Sequence, residues 1–144
     1  MAVSYLVNPD PEPFLPLFKL AGSEVGIDYE IKPDFPTYRQ LMADGDMLGV
    51  GCVDGGKPIG YIGVTFNQSM FNPDVIEAVV ASYFVLPEYR HGTIAGRLIA
   101  KIEPEVRRRT DRLIFQCEQD NPLSRILSKR GFTVIDQTWQ KAWR

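Results

Sequence analysis

The tetrapeptide Asp54-Gly55-Gly56-Lys57 separates two apolar runs, residues 47–53 and 58–66. Adjacent glycines supply the left-handed backbone that a tight hairpin turn demands, so the two runs are expected to pair as antiparallel neighbours. A third run, 75–86, is rich in β-branched and aromatic residues and follows the turn-like stretch 67–74. These three segments put a sheet at the centre of the chain. Every other element must then cover it.

Upstream, residues 4–7 form a short strand candidate closed by the turn-rich "NPDPEP". Phe14, Leu17, Phe18 and Ala21 fall at helical spacing, with Gly22 as the expected stop. An irregular acidic stretch leads to a second short helix, capped by Thr37 and halted at "ADGD". Downstream, Ile94, Leu98, Ile102 and Val106 lie four apart on one face of a long helix from about Thr93. Pro104 is expected to kink that helix or to begin a second one. Residues 112–118 read as a strand and 121–131 as a helix, with Asn121 as its N-cap and Gly131 at its end. Residues 132–143 read as a last strand, with Ile135, Trp139 and Trp143 on one face by parity.

The expected order is therefore β-α-α-β-β-β-α-β-α-β. A hairpin-connected centre followed by strand–helix–strand units gives the α/β class, a mixed sheet flanked by helices. With 144 residues the chain is expected to form one domain, 1–144. A net charge of −2 argues against a nucleic-acid binder, and Arg107, Arg108 and Arg109 complement the dipole of a helix end instead. Cys52 and Cys117 lack metal-ligand spacing and read as buried thiols of a reducing compartment, with no metal expected. No signal-like start and no apolar span of about 20 residues occurs, so the expectation is a cytoplasmic protein without a membrane partner.

The chemistry concentrates at "FVLPEYRHGTIAGRLI", residues 84–99, where a strand turns into the long helix. The first N–H groups of a helix have no partner inside it and carry partial positive charge, which suits a phosphate. Gly92, Thr93, Ala95 and Gly96 are small enough to let an anion approach, and Arg90 and Arg97 add charge. The same composition also suits a plain structural turn.

The segment "YFVLPEYR" followed by "RHGTIA" resembles the acetyl-CoA-binding segment of the GCN5-related N-acetyltransferase (GNAT) family. "DGGKPIGYIGV" resembles that family's second and third strands, and "NPLSRILSKRGF" its closing Asn-containing helix followed by Gly-Phe. The resemblance covers nearly the whole chain. It implies a GNAT-like acyl-CoA N-acyltransferase fold in which acetyl-CoA lies between the strands 75–86 and 112–118. Backbone groups of Phe84, Val85 and Leu86 would then pair with the pantetheine arm. The turn through Arg90, His91, Gly92, Thr93, Ile94, Ala95, Gly96 and Arg97 would hold the pyrophosphate, and Asn121 would complete the cofactor site.

The chain departs from the family pattern twice. Thr93 replaces a glycine of the phosphate loop. Counting four back from Gly131 reaches Leu127, where many members carry a Tyr that protonates the leaving thiolate. Ser124 and Ser128 are the nearby substitutes, and solvent can also supply that proton.

Acetylation of an amine needs the neutral amine, and a carboxylate can take its proton. Glu77 is the candidate base, on the face shared by strand parity with Val79, Ala81, Tyr83 and Val85; the other reading is a solvated side chain near a strand start. Glu118 and Asp120 either orient an amine or cap the following helix. Asp28, Tyr29 and Glu30 lie in the stretch that helps to form the acceptor pocket in this family. The expected activity is acetyl-CoA-dependent N-acetyltransfer to a primary amine of a small molecule or peptide by direct attack on the thioester. The alternative is a catalytically weak or inactive GNAT-fold protein that binds acyl-CoA as a regulatory or assembly component. The Trp-bearing last strand offers an interface for a homodimer.

Overall fold

The computed structural model describes residues 2–118 and 120–143. A single sheet of five strands runs in the order β1-β2-β3-β4-β5. These are β1 (Val3–Val7), β2 (Met47–Asp54), β3 (Lys57–Ser69), β4 (Asn72–Val85) and β5 (Leu113–Phe115). The first three pairings are antiparallel, and β4 with β5 is parallel. The hairpin between β2 and β3 turns on Gly55 and Gly56, with φ of 56° and 85°. That double left-handed backbone is the reason two glycines stand there.

Four helices cover the sheet: α1 (Leu15–Glu24), α2 (Phe35–Asp44), α3 (Ile94–Arg109) and α4 (Leu123–Lys129). On one face α3 buries Ile94, Leu98, Ile102 and Val106, the predicted stripe, together with Ala95 and Ile99. Pro104 neither breaks nor restarts this helix. Its missing N–H faces back toward Ala100, an exposed position where water can serve the spare carbonyl. The basic run at the end of α3 is partly packed, because the Arg109 guanidinium lies 3.6 Å over the Phe66 ring.

On the other face α1 and α2 enclose an aromatic cluster. Phe14 and Phe18 pack on Tyr61 with ring centroids 5.3 and 5.5 Å apart, and Tyr38 meets Phe18 edge-on at 5.9 Å. Glycines in the strands make room for it. A Cβ at Gly49 would stand 2.6 Å from the Tyr61 hydroxyl, and one at Gly51 would collide with the Phe14 ring.

Several boundaries differ from the sequence expectation. Asp34, not Thr37, caps α2: its carboxylate accepts from the Thr37 N–H at 3.1 Å and from the Thr37 hydroxyl at 2.7 Å. α1 continues past Gly22 to Glu24, and Gly22 is small because a Cβ there would stand 2.7 Å from Ile31. The predicted strand 112–118 pairs only over Leu113–Phe115, and Cys117 is exposed. The predicted last strand is not formed: residues 132–143 carry no strand, and Trp139 and Trp143 are 86% and 82% exposed. Strand parity makes an apolar face, but a strand also needs an edge to pair with. β5 is only three residues long. Among the described residues, no helix is long and apolar enough to cross a membrane.

Replacing Gly51 by Ala forces the Phe14 ring off the sheet and is expected to cost about 1–3 kcal/mol, an overpacking loss. Urea denaturation measures it. A loss below about 0.5 kcal/mol, the usual size of a surface change, would show that the ring swings aside freely.

Candidate active site

The site grows from an irregularity in β4. The register between β3 and β4 shifts at Gly63/Val64: Gly63 opposes Ser82 whereas Val64 opposes Val80, which leaves Ala81 as an extra residue. A bulge bends its strand and reverses the facing of everything beyond it. Glu77, opposite Asn67, therefore shares a face with Ser82 and Phe84, not with Tyr83 and Val85 as unbroken parity predicted.

The bulge also separates β4 from β5. The two strands pair only from Ala78↔Leu113 to Val80↔Phe115, so β4 beyond Val80 has no strand on its outer edge. Leu86 donates its N–H to the Ile59 carbonyl at 2.8 Å. Antiparallel alternation then turns the backbone of Phe84 and Leu86 toward β3, and that of Tyr83 and Val85 toward the open edge. Of the expected pantetheine partners Phe84, Val85 and Leu86, only Val85 faces outward, and Tyr83 joins it. The Val85 carbonyl accepts from Arg90 Nε at 2.8 Å.

The open edge leads to the start of α3. Thr93 stands before the helix and its side chain makes no capping bond, while the first helical bond runs from the Arg97 N–H to the Thr93 carbonyl at 3.0 Å. The N–H groups of Ile94, Ala95 and Gly96 are thus left without helical partners. His91, Gly92 and Thr93 are exposed, and no atom lies within 4 Å of a Cβ built on Gly92. Ala95 is 6% exposed and faces the core, so its small side chain serves packing against the sheet.

The three basic residues here have separate employments. Arg90 lies 5.0 Å over the Phe84 ring and holds both carboxylate oxygens of Glu24 at 2.9 Å, clamping the end of α1 to the end of β4. Arg97 sits beside the Tyr5 phenol on β1, where it partly offsets the upward push of burial. Arg130 is the cation at the first turn of α3, with Nη1 3.8 Å from a Cβ built on Gly96. Its Nε and Nη2 donate to Glu103 Oε1 at 3.3 and 3.1 Å. Nothing in the sequence marks Arg130, because only the packing of α4 on α3 brings it there. Asn121 is not the N-cap of α4, a position that Pro122 holds; its side chain accepts from the Leu123 N–H at 2.9 Å and turns the chain into the helix.

On the opposite face of β4, a cleft of about 440 Å³ lies between α1, residues 25–33 and residues 81–84 of β4. Tyr29 and Glu30 line it, and Asp28 does not. Glu77 lies outside the lining, five residues up β4 from Ser82, which is roughly 16 Å of strand. Glu118, Ser124 and Ser128 are exposed and also outside the lining, while Leu127 is buried. Sequence reasoning missed Tyr61 and Ser82, two residues of the lining whose hydroxyls are buried and have no partner among the described residues. Burial pushes the Tyr61 phenol well up, so it stays a neutral hydroxyl. The Tyr83 hydroxyl is likewise buried without a partner, its ring 5.2 Å from Phe115. Among the described residues, no group of three or more His, Cys, Asp or Glu side chains could hold a metal ion.

Known proteins share this fold. Residues 14–132 match the family model described as the acetyltransferase (GNAT) family. No curated protein matches the chain. A predicted acetyltransferase with acetyl-CoA from Clostridium acetobutylicum superimposes with a TM-score of 0.77 at 14% identity, covering 97% of this chain and 96% of that one. A ribosomal-protein-alanine N-acetyltransferase from Brucella melitensis biovar Abortus gives 0.68 at 17% identity, with 98% of both chains covered. An aminoglycoside acetyltransferase from an uncultured soil metagenomic sample, in complex with sisomicin, gives 0.70 at 13% identity, covering 99% and 94%. At such identities the likeness speaks for the fold, and the family match speaks for descent: the chain belongs to the acetyltransferase (GNAT) family.

Proposed function

We propose that the protein is an acetyl-CoA-dependent N-acetyltransferase that acetylates a primary amine by direct attack on the thioester. One observation carries this reading: the open edge of β4 runs from the uncapped first turn of α3 to the wall of a separate cleft. A long anionic thioester and a small amine can therefore meet across one strand.

The residues fit the cosubstrate. The outward backbone of Tyr83 and the N–H of Val85 offer partners to an amide-bearing arm, the Val85 carbonyl being held by Arg90. The N–H groups of residues 94–96, the open surface at Gly92 and the Arg130 guanidinium offer a seat for phosphates. Thr93 does not obstruct that seat, since it lies outside the helix with its side chain exposed. Bound acetyl-CoA supplies the activated carbonyl carbon. The neutral amine attacks that carbon, the carbon–sulfur bond breaks, and the thiolate leaves with the electron pair. Backbone N–H groups at the open edge stabilise the charge gathering on the carbonyl oxygen. Glu30, the carboxylate of the cleft lining, takes the amine proton, and solvent returns one to the thiolate.

Release of free CoA from acetyl-CoA across a panel of amines tests the reading. Cofactor binding with no release over that panel would favour the second reading, an acyl-CoA-binding component without turnover. The buried Leu127 at the position of the family's acid gives that alternative its footing.

Arg130→Ala is expected to weaken acetyl-CoA binding about tenfold, or ~1.4 kcal/mol, and Arg97→Ala less than twofold. Calorimetric titration compares them, and equal losses would remove Arg130 from the phosphate seat. At neutral pH Glu30→Gln is expected to lower kcat/KM by about a hundredfold, the usual worth of a general base. Glu77→Gln should change it less than twofold. The reverse order in steady-state kinetics would restore Glu77 as the base.

A further inference from the structure

The cleft carries its own statement about the acceptor. Glu30 and Lys32 are the only charged residues among those that line it, and both are exposed, at its mouth. Its interior is made of ring faces and apolar side chains, with Phe18, Tyr38 and Tyr61 packed within 5.5–5.9 Å of one another where they pair. Beneath it the hydroxyls of Tyr61 and Ser82 are buried over Gly49 and Gly63 and have no partner among the described residues. Such a hydroxyl costs stability unless a ligand or water completes it. Gly63 makes room for the Ser82 hydroxyl and Met47, since a Cβ there would stand 2.6 Å from the hydroxyl and 2.9 Å from Met47 Cε.

We infer that the acceptor is a monoamine carried on a compact apolar body, of the 2-phenylethylamine kind, and not a polycation such as a polyamine or an aminoglycoside. This rests on the reading that the cleft receives the acceptor. An apolar body is driven onto the rings by burial, and the amine end stays at the mouth beside the Glu30 carboxylate. A polycation must instead place several ammonium groups where there is one carboxylate, and must do so past the like charge of Lys32. The volume of about 440 Å³ equals about fifteen waters of bulk liquid. That is room for one small apolar body.

Binding is measured first, by calorimetry on the full chain, so that a chain without turnover still answers. 2-Phenylethylamine is expected to bind at least tenfold more tightly than spermidine or kanamycin. Ala21 also lines the cleft; Ala21→Trp should abolish that binding while acetyl-CoA binding, which doubles as the control for folding, stays within twofold. Lys32→Glu should narrow the preference over spermidine about tenfold. Equal or tighter binding of spermidine or kanamycin would overturn the inference, as would 2-phenylethylamine binding that survives Ala21→Trp. The two readings fail separately. CoA release that is fastest with kanamycin sinks the monoamine assignment and leaves acetyl transfer intact. The expected binding order with no CoA release from any amine sinks acetyl transfer and leaves the cleft's preference standing.

Discussion

One extra residue in β4 sets the geometry of everything around it. Ala81 has no partner in β3, so the strand bends there and the residues beyond it change sides. Just before the bulge, over Ala78–Val80, β4 is held on both edges, by β3 and by β5; after it, only by β3. The lost ladder leaves the backbone groups of Tyr83 and the N–H of Val85 without a strand partner, while Arg90 takes the Val85 carbonyl. A regular sheet would have spent those groups on a neighbouring strand. The fold gives up pairing at this point and gains a directional edge on which a substrate can be aligned.

The two faces of the sheet divide the labour through the size of their residues. On the α3 face, branched aliphatic side chains interlock with the strands, and the small Ala95 lets the helix start close to the sheet. On the α1 face, glycines at 49, 51 and 63 make a depression that rings of Phe14, Phe18 and Tyr61 fill. That packing leaves room beside β4 for the cleft. The clamp between Arg90 and Glu24 fastens the end of α1 to the strand, so the cleft wall and the open edge share one support.

Charge near the site is distributed by tertiary contact and not by proximity in sequence. Arg90 and Arg97 flank the small-residue turn, yet one binds α1 and the other lies beside β1. The cation that stands over the first turn of α3 arrives from α4, held by Glu103. Glu77 shows the same lesson for a carboxylate, because the bulge turned it to the cleft's face but its distance along the strand kept it outside.

The amino-acid pattern by itself determined the hairpin at Gly55-Gly56, the buried stripe of α3, the small-residue turn before it and the likeness to an acyltransferase family. Each of these rests on a local rule: a left-handed turn, a helical period, a run of adjacent residues. Only the tertiary structure decided which backbone groups of β4 stay unpaired, which arginine attends the helix start and which side chains line the cleft. It also decided that residues 132–143 form no strand, though their parity is that of one. Pairing, burial and proximity belong to two segments at once, and a period read along one segment cannot count a bulge or supply a partner.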